Sequence, residues 1–254
     1  MSLNKDINMR PVSHLILTSL LIILAEVSTC LAGPKAGIAF NIAILLLLIL
    51  QFTFIKDPSS DFTRLFQVMT LIPLYRIITL SIPVELITYE GYLIAVTTSL
   101  LAGSLILITV LGISLEDVGM RLRDPILQIL CIIAGPFIGY LEWMLLMPSG
   151  LEPPIPASLI LMLAAFTDEL IFRGIIQQSV ERAMKNPLFA ILLTSTLYAT
   201  FFVSYASELW LILLVFLTSI FFGYVVSKSG SIAGVLISHA LLNIFYLVIC
   251  PIWM

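Results

Sequence analysis

Apolar residues in this chain run in long blocks, interrupted by short polar segments, with neither the strict alternation of a half-buried strand nor the narrow apolar stripe of a surface helix. Blocks approaching the ~20 residues that cross a bilayer fall at 12–32, 37–55, 66–83, 91–113, 126–147, 155–179, 187–205, 208–227 and 231–250. The pattern predicts an all-α, polytopic transmembrane bundle of about nine spans. The third block is interrupted by Pro73, Arg76 and Pro83. If it is re-entrant, the count falls to eight and everything downstream changes sides. The first block follows MSLNKDINMR without a small-residue cleavage pattern and reads as a retained span.

Composition agrees. Of 254 residues, 60% are hydrophobic and 11% charged, and the mean hydropathy is +1.14, well outside the range of ordinary soluble domains. Charge placement adds an orientation, because Lys and Arg collect in cytoplasmic loops. With an inside N-terminus, the inner segments hold Lys5, Arg10, Lys56, Arg64, Arg121, Arg123, Arg182, Lys185 and Lys228, and the outer segments hold Lys35. This predicts a multi-pass protein of the plasma membrane with a cytoplasmic N-terminus and an external C-terminus. The loops are short and no internal repeat is visible, so residues 1–254 read as one membrane domain, in contact with lipid and with no nucleic-acid partner expected. Within it, accessory spans over 12–147 precede a four-span core over 155–250, where the polar groups cluster.

An ionised group within a bilayer costs a few kcal/mol or more and therefore faces a partner or a wet cavity. Two acids and an arginine lie together in AAFTDELIFRGIIQQ. Residues four apart share a helix face, so Glu169 and Arg173 can pair, while Asp168 is rotated by ~100° and points elsewhere. An acid short of positive partners suits a general base, whereas a buried acid–arginine latch between helices is the purely structural reading. In the last span, His239 and Asn243 are also four apart and can donate two hydrogen bonds toward one point, as a developing oxyanion requires; packing of a buried His on Asn is the bland alternative. His239 lies about 12 Å in from Ser231, and Asp168 about 13 Å in from Gln177, at 1.5 Å per residue, so the two motifs can share one layer.

Several other polar residues compete for attention. Arg76 and Glu142 could form an ion pair between spans three and five, or together hold a substrate carboxylate, while Ser28 and Thr29 could satisfy Glu26. Cys30, Cys131 and Cys250 are scattered, and His14 and His239 are the two histidines. No zinc motif is present, so neither a metal nor another cofactor is expected.

The run TDELIFRG, followed by LYATFF and then SHALLN, resembles the CPBP family of intramembrane proteases, also called the Abi or CAAX-protease family. Its signature is EExxxR, then FxxxH, then HxxxN or HxxxD. The resemblance covers roughly 155–250 and implies a glutamate-type intramembrane endopeptidase. In such a site an acid and a histidine activate water, and a His–Asn pair holds the oxyanion. It places Asp168 at the first acid, Glu169 at the second, Arg173 at the arginine, and His239 and Asn243 at the third motif. The implied substrate is a membrane-associated or prenylated peptide. Tyr198 and Phe202 fall in the second motif and, with Glu142 and Arg76, are candidates for the substrate pocket.

Two positions depart from the signature. Asp168 is one methylene shorter than the family's glutamate, and Phe202 stands where the family has its water-binding histidine. Two further readings therefore stand beside a peptidase with weakened catalysis. One is a non-catalytic relative serving as a membrane scaffold or bacteriocin self-immunity factor. The other is a small-solute transporter relaying ions through Asp168, Glu169 and Arg173, which the lack of inverted repeats disfavours.

Overall fold

The computed structural model describes residues 9–54, 60–84, 86–204 and 209–253, and among them every regular element is helical. Lys5, Lys56 and the side chain of Arg10, assigned above to inner segments, lie outside the described residues, as do the ends of the blocks at 55, 205 and 208. The helices are α1 (Met9–Ala32), α2 (Pro34–Thr53), α3 (Asp61–Met69), α4 (Leu71–Ser81), α5 (Tyr89–Val110) and α6 (Pro125–Leu146). Then come α7 (Pro154–Glu169), α8 (Gln178–Met184), α9 (Pro187–Thr200), α10 (Leu209–Ser229), α11 (Ala233–Ile244) and α12 (Cys250–Trp253). Two π-helical stretches, Leu170–Gln177 and Phe245–Ile249, join α7 to α8 and α11 to α12.

Local chemistry marks where these helices start. Side chains of Ser60, Thr88, Asp124 and Asn186 each accept a hydrogen bond from a backbone N–H of the first turn, satisfying donors that have no intrahelical partner. Proline opens α2, α6, α7 and α9, where its missing N–H costs nothing.

Among the described residues, six helical segments are long and apolar enough to cross a bilayer: Pro11–Ala32, Pro34–Thr53, Tyr89–Val110, Pro125–Leu146, Leu209–Ser229 and Ala233–Ile252. The other three expected spans take different forms. The sixth becomes α7 and α8 joined through a π-helical stretch, and the seventh shortens to the 14-residue α9. The third breaks at Thr70 into α3 and α4. The break has a local cause: Pro73 has no N–H to offer the Met69 carbonyl four residues back, and the Thr70 hydroxyl folds back onto the Gln67 carbonyl at 2.6 Å. The two pieces nevertheless run on through the bundle. α3 packs on α8, Tyr75 of α4 reaches Asp168, and the Thr79 carbonyl meets Tyr92 in the first turn of α5.

Large apolar side chains face outward along these helices, among them Leu17, Leu46, Leu130, Ile133 and Leu213, each more than half exposed. Such a belt is tolerated in lipid, not in water. The protein is an integral membrane protein. Loops that carry the basic residues meet at one end, where Arg182 donates to the Asp117 carbonyl at 2.6 Å and pairs with its carboxylate at 3.1 Å. At the same end Arg121 donates to the Gly230 carbonyl at 2.9 Å. A hydrogen bond from Ser114 holds the Asp117 carboxyl below the ordinary aspartate range. At the opposite end, the Leu151 amide donates to the Leu247 carbonyl at 2.8 Å.

Candidate functional site

The acid pair ends α7, and the π-helical stretch begins at the next residue, Leu170. The i→i+5 bonding of such a stretch shifts the angular positions of the residues after it relative to an unbroken α-helix, and segments of this kind are frequent at functional sites. Glu169 is fully buried. Its Oε1 accepts from Arg173 Nη1 at 3.1 Å, as the four-residue spacing predicts, and Nδ1 of His239 lies 2.7 Å from the same oxygen. Its other oxygen, Oε2, has no hydrogen-bond partner among the described residues. Arg173 also donates to Ser219 Oγ of α10 at 2.9 Å, and its guanidinium lies over the rings of Tyr198 and Phe222 at 4.7 and 5.8 Å. A cation in apolar surroundings is thus held by one carboxylate, one hydroxyl and two aromatic faces.

Asp168 has a partner the sequence did not reveal. The Tyr75 hydroxyl of α4 donates to its Oδ1 at 3.0 Å, so the acid read as free is held by a phenol. Tyr75 is itself fixed by aromatic neighbours, edge-on to Phe172 at 5.9 Å and tilted against Phe201 at 5.2 Å.

α11 owes its position to close packing against α6. A Cβ added at Gly135 or Gly139 would collide with the backbone of Ser238 or Leu242 respectively, so only glycine lets the two backbones approach this closely. Polar contacts lock the register: Ser238 Oγ donates to the Cys131 carbonyl at 2.7 Å, and the Gly234 amide donates to Gln128 Oε1. Ser238 is thereby spent on α6, while His239, next in sequence, turns to Glu169.

A cavity of about 230 Å³ opens between these helices. Asp168, Arg173, His239 and Asn243 line it, so the first-acid carboxylate and the His–Asn pair face one space. Tyr198, Phe202 and Glu142 line it too. Phe202, in the turn that follows α9, packs on Tyr198 with ring centroids 5.5 Å apart. The cavity therefore has an aromatic wall where a histidine would supply a proton acceptor. Glu169 backs the site from behind and does not line the cavity.

Arg76 is elsewhere, and the expected Arg76–Glu142 pair does not form. Arg76 Nε and Nη2 reach the two oxygens of Glu26 at 2.6 and 2.5 Å, Nη2 also reaches Ser204 at 3.2 Å, and the guanidinium lies 5.0 Å from the Phe201 ring centroid. A planar two-pronged cation and a carboxylate satisfy each other better than one partner shared across the bundle. Thr29, expected beside Glu26, instead donates to the Ala25 carbonyl at 2.8 Å. Glu142 is left facing the cavity. Among the described residues, no group of three or more His, Cys, Asp or Glu side chains is arranged to hold a metal ion.

Two contributors escaped the sequence reading, Tyr75 and Ser219. Neither carries a pattern signal, and only the packing of α4 and α10 against the core reveals its partner.

Comparison with known proteins bears on this same segment. Residues 150–245 match the Rce1-like family model, described as type II CAAX prenyl endopeptidase Rce1-like. No curated protein and no solved structure matches the chain. The matched stretch includes α7 through α11 and with them Asp168, Glu169, Arg173, His239 and Asn243. Over residues 150–245 the chain is thus similar to the Rce1-like family, in keeping with its resemblance to the CPBP membrane proteases.

Proposed function

We propose that the protein is an intramembrane endopeptidase of the CAAX-protease type, cutting a membrane-associated or prenylated peptide. The observation that carries this reading is the presence of Asp168, His239 and Asn243 in the wall of one cavity inside the helical bundle. In this reading the protein lies in the plasma membrane with its basic end in the cytoplasm, the N-terminus inside and the C-terminus outside.

The proposed chemistry divides among named groups. Asp168, steadied through Oδ1 by Tyr75, takes a proton from a water molecule as the water oxygen bonds to the scissile carbonyl carbon. Negative charge develops on the carbonyl oxygen. Asn243 Nδ2–H and the Nε2–H of His239 receive it. Because Nδ1 of His239 is turned to Glu169, the ring keeps Nε2 for the cavity. Arg173 shares the Glu169 carboxylate and fixes its position. When the tetrahedral intermediate collapses, the C–N bond breaks and Asp168 returns its proton to the leaving amine. With Phe202 in place of a histidine, one proton carrier is missing, a loss that typically costs 10²–10⁴-fold, so turnover is slow.

One observation favours a second reading. The Phe202 ring lines the cavity and offers nothing to hold a water, which suits a non-catalytic relative that binds a membrane peptide as scaffold or self-immunity factor. Cleavage of a membrane-embedded peptide by the purified protein in liposomes separates the two. The peptidase reading expects a cut that Asp168→Ala abolishes; binding without cleavage, in wild type and variant alike, supports the scaffold.

A further inference from the structure

Among the described residues, Glu142 is the acid of the cavity left without a hydrogen-bond or ion-pair partner, although it is only 8% exposed. Asp168 has Tyr75, and Glu169 has Arg173 and His239. The arginine that could have answered Glu142 is taken by Glu26, and Arg173 is engaged by Glu169 and Ser219. An acid in the interior of a membrane bundle costs several kcal/mol unless something answers it; His239 is within electrostatic reach of Glu142 but turns its Nδ1 to Glu169, and no donor among the described residues bonds Glu142. The Glu142 carboxyl is thus open to a group bound in the cavity.

The surroundings indicate its chemistry. α6 and α11 run parallel, with Gly135 against Ser238 and Gly139 against Leu242. Glu142, one turn beyond Gly139, is therefore level with Tyr246, one turn beyond Leu242. Tyr246 and Tyr89 line the same end of the cavity, with Tyr246 in electrostatic reach of both Glu142 and Tyr89. Glu142 also lies close to the end of α6 at Leu146, where unpaired carbonyls and the helix dipole add negative potential. A carboxylate, phenol rings and a helix C-terminus all favour a cation.

We propose that this end of the cavity is a subsite for an organic cation, the ammonium or guanidinium of a basic residue in the bound peptide. The subsite reverses the sign expected of a pocket built on Arg76, because the charge left facing the cavity is negative. It rests on the peptide-binding reading above and specifies which peptides fit. One basic residue, placed about as far from the scissile bond as Glu142 is from His239 and Asn243, docks on Glu142 while its stem covers the tyrosines.

The test uses the full chain in lipid nanodiscs and a set of apolar, fluorescently labelled peptides, identical except that one lysine replaces norleucine at successive positions. Binding is measured for the wild type, Glu142→Gln and Asp168→Ala. The subsite predicts one position at which lysine tightens wild-type binding by roughly tenfold or more, the scale of a buried charge-assisted pair. Asp168→Ala keeps that preference, and Glu142→Gln abolishes it, so that the lysine and norleucine peptides bind this variant alike. A wild type that prefers lysine at no position overturns the proposal without recourse to any variant, as does a preference that survives in Glu142→Gln. A protein that prefers lysine but never cuts overturns the peptidase reading and leaves the subsite standing; cleavage indifferent to the lysine does the reverse.

Discussion

Tyr75 of α4 donates its hydroxyl proton to Asp168 of α7 across 3.0 Å, joining residues 93 positions apart. The accessory spans thereby contribute directly to the site that the Rce1-like segment contains. With a side chain one methylene shorter than the family's glutamate, the carboxylate is positioned from behind by a phenol whose ring is wedged between Phe172 and Phe201.

Tyr75→Phe keeps the ring and removes the hydroxyl. A hydrogen bond to a charged group contributes about 1.5–3 kcal/mol, and a 1 Å shift of a reacting group can cost about 100-fold. The variant is expected to fold, to unfold at a lower temperature in detergent, and to cleave a membrane peptide about 10–100-fold more slowly. Unchanged cleavage by the variant would show that Asp168 needs no help from α4.

The Glu26–Arg76 pair is a buried link between α1 and α4. Removing one partner strands a charge, so Glu26→Gln or Arg76→Leu alone is expected to destabilise by about 3–5 kcal/mol. The joint Glu26→Leu, Arg76→Met exchange leaves no orphan charge and should recover most of that loss. Unfolding midpoints of the three variants, measured in one detergent, check the order. Equal losses in all three would mean that packing, not charge, sets the cost.

Much of this arrangement was legible beforehand, and the rest failed for identifiable reasons. Four-residue spacing alone paired Glu169 with Arg173 and put His239 and Asn243 on one face, because both are within-helix relationships. The partners of Asp168 and Arg76 lie on other helices, and apolar periodicity does not report which helices touch. Arg76 therefore looked available for Glu142 when Glu26 held it. The apolar blocks were found, and Pro73 marked the third as interrupted, but block length cannot register a π-helical stretch such as Leu170–Gln177. Tyr75 and Ser219 needed the packing of α4 and α10 to become visible.

Close approach of α6 and α11 is what brings His239 and Asn243 to the cavity. Gly139→Ala places a methyl against the Leu242 backbone, and overpacking of this kind costs about 1–3 kcal/mol. Because α11 is pushed away, activity should fall more than stability does. Gly103→Ala is the control, since the new methyl meets only a Leu74 side-chain carbon at 3.6 Å. Cleavage assays and thermal unfolding on the pair distinguish backbone approach from a general intolerance of alanine. A harmless Gly139→Ala would show that this packing does not position the site.

In the proposed function Asp168 is the base of a peptidase site weakened by its own shortness and by Phe202. The most direct measurement is the initial rate of cleavage of one membrane-embedded peptide in liposomes by the wild type, Asp168→Ala, Asp168→Glu and the double variant Asp168→Glu, Phe202→His. The account predicts no cleavage with alanine, a faster rate with glutamate, and a further rise of about 10²-fold or more when the histidine is added. Equal rates from wild type and Asp168→Ala, or a double variant that is folded and inert, would contradict it.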